Sequence, residues 1–256
     1  MTFEIARRAL DETVQPLTRY LPSSRDIVRP PERRPSGNHL LSELSRLTAG
    51  KLAPYLRRVF LRRDEFLYTP EDDIASIYFP ETTVFTEHQM LRDGRTVEVS
   101  MTGKESAVGL VAALSAERAS TWVQPYMNGT ALRIGSKAFR EIALREPELL
   151  KAVGIRINAY IKQISQRVIC NTHHPMEGRL CTWLLMLADR CPAGPLKLTH
   201  EQMARVLGVF RPSISCAAAS LRDRGLIDYV RGNVLIRNSS EMKKAACGCY
   251  EEVRVA

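Results

Sequence analysis

Arg211, Ser213, Ser215 and Arg222 share a short segment with Ile214, Ala217, Ala218 and Leu221, and helical spacing sends the two sets to opposite sides. A guanidinium on such a side is a planar fork of donors that fits the paired O6 and N7 acceptors of guanine, and hydroxyls beside it suit phosphate oxygens. The chemistry on offer is recognition of double-stranded DNA. Arg211 is the expected base reader, with Thr199, His200, Ser213 and Arg231 expected against the phosphate backbone.

These side chains need two helices and a tight turn to hold them. Thr199 and Gln202 form a capping-box pattern that starts a helix at His200. Met203 and Leu207 face inward, and Ala204 marks a crossing too close for a larger side chain. Gly208 ends the helix in the left-handed conformation that glycine adopts without strain, and Val209 packs beneath the turn. A second helix runs from Arg211 to Arg224, with Pro212 tolerated in a first turn that has no hydrogen bond to lose. Gly225 stops it, and a hairpin around Arg231-Gly232 adds a wing. In a helix-turn-helix of this kind the second helix enters the major groove.

Upstream, a helix from Met176 to Arg190 carries Leu180, Trp183, Leu184 and Leu187 on one face and ends at Pro192, Gly194 and Pro195. Before it, a long helix opens at Pro147. Its Leu150, Val153, Ile157, Tyr160 and Ile164 have the alternating three-four spacing of a two-stranded seam, and its charges from Lys151 onward are all basic. A homodimer helix is expected, the alternative being a helix buried within one chain.

Between residues 60 and 135 the segments FLYT, IASIYFP, VFTEHQML and RTVEVSM read as short strands. Asp93-Gly94 and Asn128-Gly129 predict two hairpins, the first with a type I′ turn, in an antiparallel roll of about eight strands. The proline- and arginine-rich run RPPERRPSG reads as part of a solvated arm. The fold class expected is α+β, in five parts. An N-terminal arm (1–38) precedes an antiparallel β jelly-roll sensor domain (39–146) and a dimerisation helix (147–174). A winged helix-turn-helix (175–240) and a C-terminal tail (241–256) follow.

Charge separates along the chain. Residues 39–146 carry 14 basic and 14 acidic side chains, whereas residues 147–256 carry 16 basic and 9 acidic, so the excess sits with the helix-turn-helix. The apolar runs are too short to span a bilayer, and no secretory pattern opens the chain, so a cytoplasmic location and no membrane partner are expected. All six cysteines follow residue 169, without the spacing of a secreted disulfide framework. Cys247-Gly-Cys249 supplies two ligands, which do not make a zinc site, so no metal is expected. No phosphate-binding loop or nucleophile with a base is apparent, so no catalytic residue is assigned.

The order of parts resembles the Crp/Fnr family of bacterial transcription regulators, most specifically in LTHEQMARVLGVFRPSIS, SLRDRGLIDYVRGNVLI, AACGCY, IYFP and LRDGRTVEVSMTGKES. The resemblance implies a sensor domain related to cyclic-nucleotide-binding modules, a homodimer, and RNA polymerase as a partner. It also exposes departures. Where nucleotide-binding members hold the ribose with glycine and glutamate, this chain has Gly109-Leu110. Where an arginine-serine pair holds the phosphate, it has Arg118, Ala119 and Ser120, with the arginine displaced by one residue and so expected to face away. Cyclic nucleotide binding is not expected. An iron-sulfur cluster on N-terminal cysteines is not expected either, and His88, the one strand histidine that a haem-sensing relative could use, is expected to be simply exposed. Pro212 and Cys216 replace a glutamate and an arginine of the recognition helix, and are expected to make apolar contact with thymine methyls. The competing reading is a small-molecule-binding module whose helix-turn-helix serves protein contacts.

Overall fold

The computed structural model describes residues 37–63 and 65–254. The expected arm lies outside these residues except at its end, where Asn38 belongs to the fold. Asn38 is fully buried, its side chain accepts from the Leu41 amide to cap α1 (His39–Ser42), and its Nδ2 donates to the carbonyls of Pro80 and Ser106.

After α2 (Arg46–Leu52), six strands form two three-stranded antiparallel sheets. One has the order β1-β6-β2, from Arg57–Leu61, Gly129–Gly135 and Ser76–Pro80; the other has β4-β3-β5, from Thr96–Thr102, Phe85–Met90 and Trp122–Pro125. Alternation on β2 explains how the two faces are filled. Ile77 and Phe79 enter a cluster with Leu40, Leu52 and Phe139, while Tyr78 between them enters the roll interior with Phe85, Val59 and Ala131. Each fully buried Phe or Leu in these clusters contributes ~1.5–3 kcal/mol. Helices α3 (Leu110–Ser115) and α4 (Ser136–Ala143) complete this part.

Both hairpin expectations change. At Asp93-Gly94 the strands do pair, but only Gly94 has a positive φ (84°). Gly94 N–H donates to Leu91 O and Leu91 N–H to Arg95 O, which is a three-residue loop rather than a two-residue turn. At Asn128-Gly129 there is no hairpin: β5 pairs with β3 and β6 with β1 and β2, so the chain crosses between sheets here. Glycine is needed for room, since a Cβ on Gly129 would fall 2.7 Å from the Thr83 amide nitrogen.

The long helix α5 spans Pro147–His173. Its expected seam turns toward the chain's own core: Val153 is fully buried, Ile157 packs against the cluster around Phe79, and the Tyr160 hydroxyl donates to Glu87 (2.9 Å). Ile164 is half-buried, and of the five only Leu150 is exposed. The outward stripe is the neighbouring one, Gly154, Asn158, Ile161, Ser165 and Val168, flanked by exposed Ile155 and Ile169.

The described residues fall into two compact units, 37–87 with 101–160, and 88–100 with 161–254. These divisions differ from those expected, because the tip of the β3-β4 hairpin groups with the C-terminal part. Glu98 on that tip is fully buried, and its Oε1 accepts from Trp183 Nε1 and Arg167 Nη2, each at 2.8 Å. Burial raises the Glu98 carboxyl despite the Arg167 charge. Trp183 sits on α6 (Met176–Arg190), whose Leu180 to Leu187 stretch is buried throughout. The chain beyond residue 240 is no tail: α9 (Ser239–Ala245) buries Met242, and α10 (Cys249–Val253) buries Tyr250, whose hydroxyl donates to Asp189 (3.0 Å).

His88 lies on the same hairpin tip. Burial, and then the Arg167 charge, push its ring down to about 4, so it is neutral at physiological pH. A histidine with a lowered folded value contributes stability above its unfolded value near ~6.5, and that contribution is lost as pH falls toward the folded value. His88→Gln is expected to remove on the order of 1–3 kcal/mol of pH dependence across that window, the range allowing for a ring that keeps some contact with solvent. Urea unfolding of both proteins at neutral and acid pH measures the difference; identical slopes would show that this ring is not its source.

Candidate nucleic-acid interface

The capping box is present as expected. Thr199 accepts from the Gln202 amide while the Gln202 side chain accepts from the Thr199 amide, opening α7 (His200–Leu207). Met203, Ala204 and Leu207 are buried, and the chain turns at Gly208 (φ 64°). The α7 C-terminus has a further support: Arg179 Nη2 donates to the Leu207 carbonyl (2.6 Å). Alanine at Gly208 would combine a left-handed backbone with a Cβ 3.4 Å from Val97 Cγ2. Gly208→Ala should therefore cost ~1–2 kcal/mol in chemical unfolding, and a neutral result would mean the turn relaxes freely.

Helix α8 (Arg211–Asp223) buries Ile214, Ala217, Ala218 and Leu221, so its other side faces out. Arg211, Pro212, Ser213, Cys216 and Arg222 are all exposed there, and Thr199 is exposed at the start of α7. The wing is the hairpin β8 (Ile227–Val230) and β9 (Asn233–Ile236), joined to the short β7 (Leu196–Lys197) in one sheet. Arg231 (φ 49°) and Gly232 (φ 76°) form its tip, both with the positive φ that a type I′ turn requires. Gly232 O accepts from the Leu198 amide (2.8 Å), which holds the exposed Arg231 turn beside Thr199.

Two of the expected contact residues are engaged within the domain. His200 Nδ1 lies 3.0 Å from Ser215 Oγ, and its ring stacks on Tyr229 with centroids 4.3 Å apart. Ser215 Oγ also donates to Arg211 O (3.2 Å). Burial, then the Arg211 charge, lower the His200 pKa, so the ring sits there neutral, tying α7 to α8 and the wing. Periodicity places residues on faces but does not reveal such side-chain pairings. Sequence reasoning also passed over Phe210. It is 81% exposed directly before Arg211, a large apolar surface beside the expected base reader.

Gly109, Arg118 and Ser120 stand where the resemblance would put the lining of an effector pocket. Gly109 (φ 88°) caps α3, and the space a Cβ would take there is closed by Tyr68 Oη at 3.0 Å. Arg118 is 62% exposed and pairs with Glu71 (3.8 Å) and Asp73 (3.6 Å); Ser120 is exposed likewise, and only Ala119 between them is buried.

Residues 178–245 match the Crp-like helix-turn-helix domain. Across a longer span the chain is 20% identical over 210 residues to the global nitrogen regulator of Synechococcus elongatus, covering 78% of this chain and 94% of that one. Along most of its length, then, the chain is similar to regulators of the Crp/Fnr family, and residues 178–245 carry the Crp-like domain itself. Solved structures agree in fold. FixK2 from Bradyrhizobium japonicum superposes with a TM-score of 0.66 at 15% identity, covering 75% of this chain and 98% of that one. A putative Crp/Fnr regulator from Eubacterium rectale gives 0.66 at 13%, covering 82% and 98%. With that domain the protein is a DNA-binding transcription regulator, and the residues exposed between Phe210 and Arg222 lie on the outward side of its second helix. No helix among the described residues is long and apolar enough to cross a membrane.

Proposed function

We propose that this protein acts, like the Crp/Fnr regulators it resembles, as a homodimer on an inverted-repeat operator, each subunit reading one guanine with Arg211. The observation that carries this reading is the face itself. Arg211, Ser213 and Cys216 stand exposed on α8, and Thr199 and the Arg231 turn are exposed beside each other, on a domain with excess basic charge. Arg211 makes the bidentate base contact; Thr199, Ser213 and Arg231 hold phosphates; Phe210, Pro212 and Cys216 offer apolar contact to thymine methyls. His200 and Ser215 act one step back, by keeping α7 and α8 in register.

The dimer forms along the outward stripe of α5 around Ile161 and Val168. Residues 39–146 serve as the sensor, 147–174 as the dimer helix and 175–240 as the reading head, which acts on RNA polymerase in the cytoplasm by binding rather than by catalysis. Since Arg118 and Ser120 face solvent, the signal is something other than a cyclic nucleotide held by an arginine-serine pair.

Selection of bound sequences from random DNA tests this reading. The expected outcome is an inverted repeat with one strongly fixed guanine per half-site and half-site centres ~34 Å apart, with affinity falling steeply as salt rises. Binding indifferent to both sequence and salt would reject it.

A further inference from the structure

Three cysteines and a histidine that play no part in DNA reading meet at one place in the C-terminal unit. Cys170 lies in the last turn of α5 and His174 just beyond it, while Cys247 precedes α10 and Cys249 opens it. Their four donor atoms all lie within 4.8 Å of one another. Cys170 Sγ is 3.4 Å from Cys247 Sγ, and Cys249 Sγ is 3.3 Å from His174 Nδ1. A tetrahedral zinc ion with bonds of ~2.3 Å to sulfur and ~2.0 Å to nitrogen sets its ligands roughly 3.5–3.8 Å apart. Closing the group onto such an ion therefore asks for movements of about 1 Å or less.

Polar groups already stand at two of these sulfurs. Gln166 Nε2 donates to Cys249 Sγ (3.1 Å), and Thr182 Oγ1 lies 3.0 Å from Cys247 Sγ. Arg179 lines the same cavity, and its Nε is buried with no hydrogen-bond partner among the described residues. Three thiolates and one divalent ion leave a net charge of −1, which the Arg179 guanidinium neutralises; donors of this kind around ligating sulfurs tune and orient a metal site.

We propose that Cys170, His174, Cys247 and Cys249 bind one zinc ion. On binding, the three thiols release their protons to solvent and His174 coordinates as a neutral imidazole through Nδ1, so no oxidant or reductant is involved. The ion clips the two C-terminal helices to the end of α5. It also sits beside Arg179, whose other end holds the Leu207 carbonyl where α7 turns into the recognition helix. The site therefore supports the geometry of the DNA-reading head.

The test is metal binding by the full-length protein, reduced and stripped with chelator, then titrated with zinc or cobalt(II). One equivalent is expected, with the strong visible d–d bands and thiolate charge-transfer absorption of tetrahedral cobalt. Cys170→Ser and Cys249→Ser should each weaken binding at least ~100-fold, while Cys191→Ser, outside the group, should leave it unchanged. If either variant fails to fold, native-state alkylation of the wild type read by mass spectrometry decides instead, because zinc should shield Cys170, Cys247 and Cys249 together. No uptake, uptake untouched by both substitutions, unchanged alkylation with zinc, or a Cys170–Cys247 disulfide in place of the metal would each overturn the assignment.

Discussion

Arg211→Ala is expected to weaken operator binding by ~1–3 kcal/mol per half-site, about 5- to 150-fold at each, and to erase the preference for guanine at one position of the half-site. The expectation rests on isolation. Arg211 is exposed at the start of α8, while its neighbours Pro212 and Cys216 have no strong donor to offer a base edge. Loss of that guanidinium therefore leaves the helix with phosphate contacts and apolar surface, which bind DNA without naming its sequence. Titration of wild type and variant against the selected operator and against scrambled DNA separates the two terms. Affinity for scrambled DNA should fall far less than affinity for the operator. If the variant selects the same sequences as the wild type, Arg211 is a phosphate contact and specificity comes from DNA shape instead.

Ile161→Glu, or Val168→Glu, is expected to turn a dimer into a monomer, with self-association weakened by at least ~100-fold. Ile161 is 55% exposed and Val168 62% exposed on one stripe of α5, an arrangement that in a single chain leaves large apolar side chains in water. In a parallel pair of helices each glutamate would face its own copy, so burial and like-charge repulsion would add. Sedimentation equilibrium reads the result, and operator affinity should fall with it because both half-sites need to be held at once. Val153→Ala provides the contrast. It removes a fully buried side chain from the sensor core, so it should lower stability by ~1–3 kcal/mol while leaving dimerisation in place. Reversed results for the two sites would restore the Val153 seam as the interface.

The difference between those two stripes marks how far the sequence could be read. Spacing of apolar residues along Pro147–His173 established a helix, but two stripes with the same period run along it. Which stripe meets the chain's own core depends on Leu40, Phe79 and the Glu87 carboxylate, all distant in sequence. Turn residues behaved similarly. Gly208 and Arg231-Gly232 were legible because positive φ is a local demand of the backbone. Asn128-Gly129 was not, since its glycine answers to the nearby Thr83 backbone rather than to a turn. The Cys247-Gly-Cys249 pair drew attention by itself, while Cys170 and His174 lie too far upstream for spacing to connect them.

Local chemistry, then, carried the helix-turn-helix: a capping box, a small residue at the crossing, a left-handed glycine, an apolar face and a wing turn each act within a few residues. The sequence by itself determined that this protein has a helix-turn-helix head and that Arg211 opens its second helix. Tertiary structure decided which side of the long helix is free, that Arg118 and Ser120 face solvent, and that three thiols and an imidazole share one place. Those outcomes depend on burial and on contacts between distant segments, and a one-dimensional period carries no information about which of two equivalent faces the rest of the chain will cover.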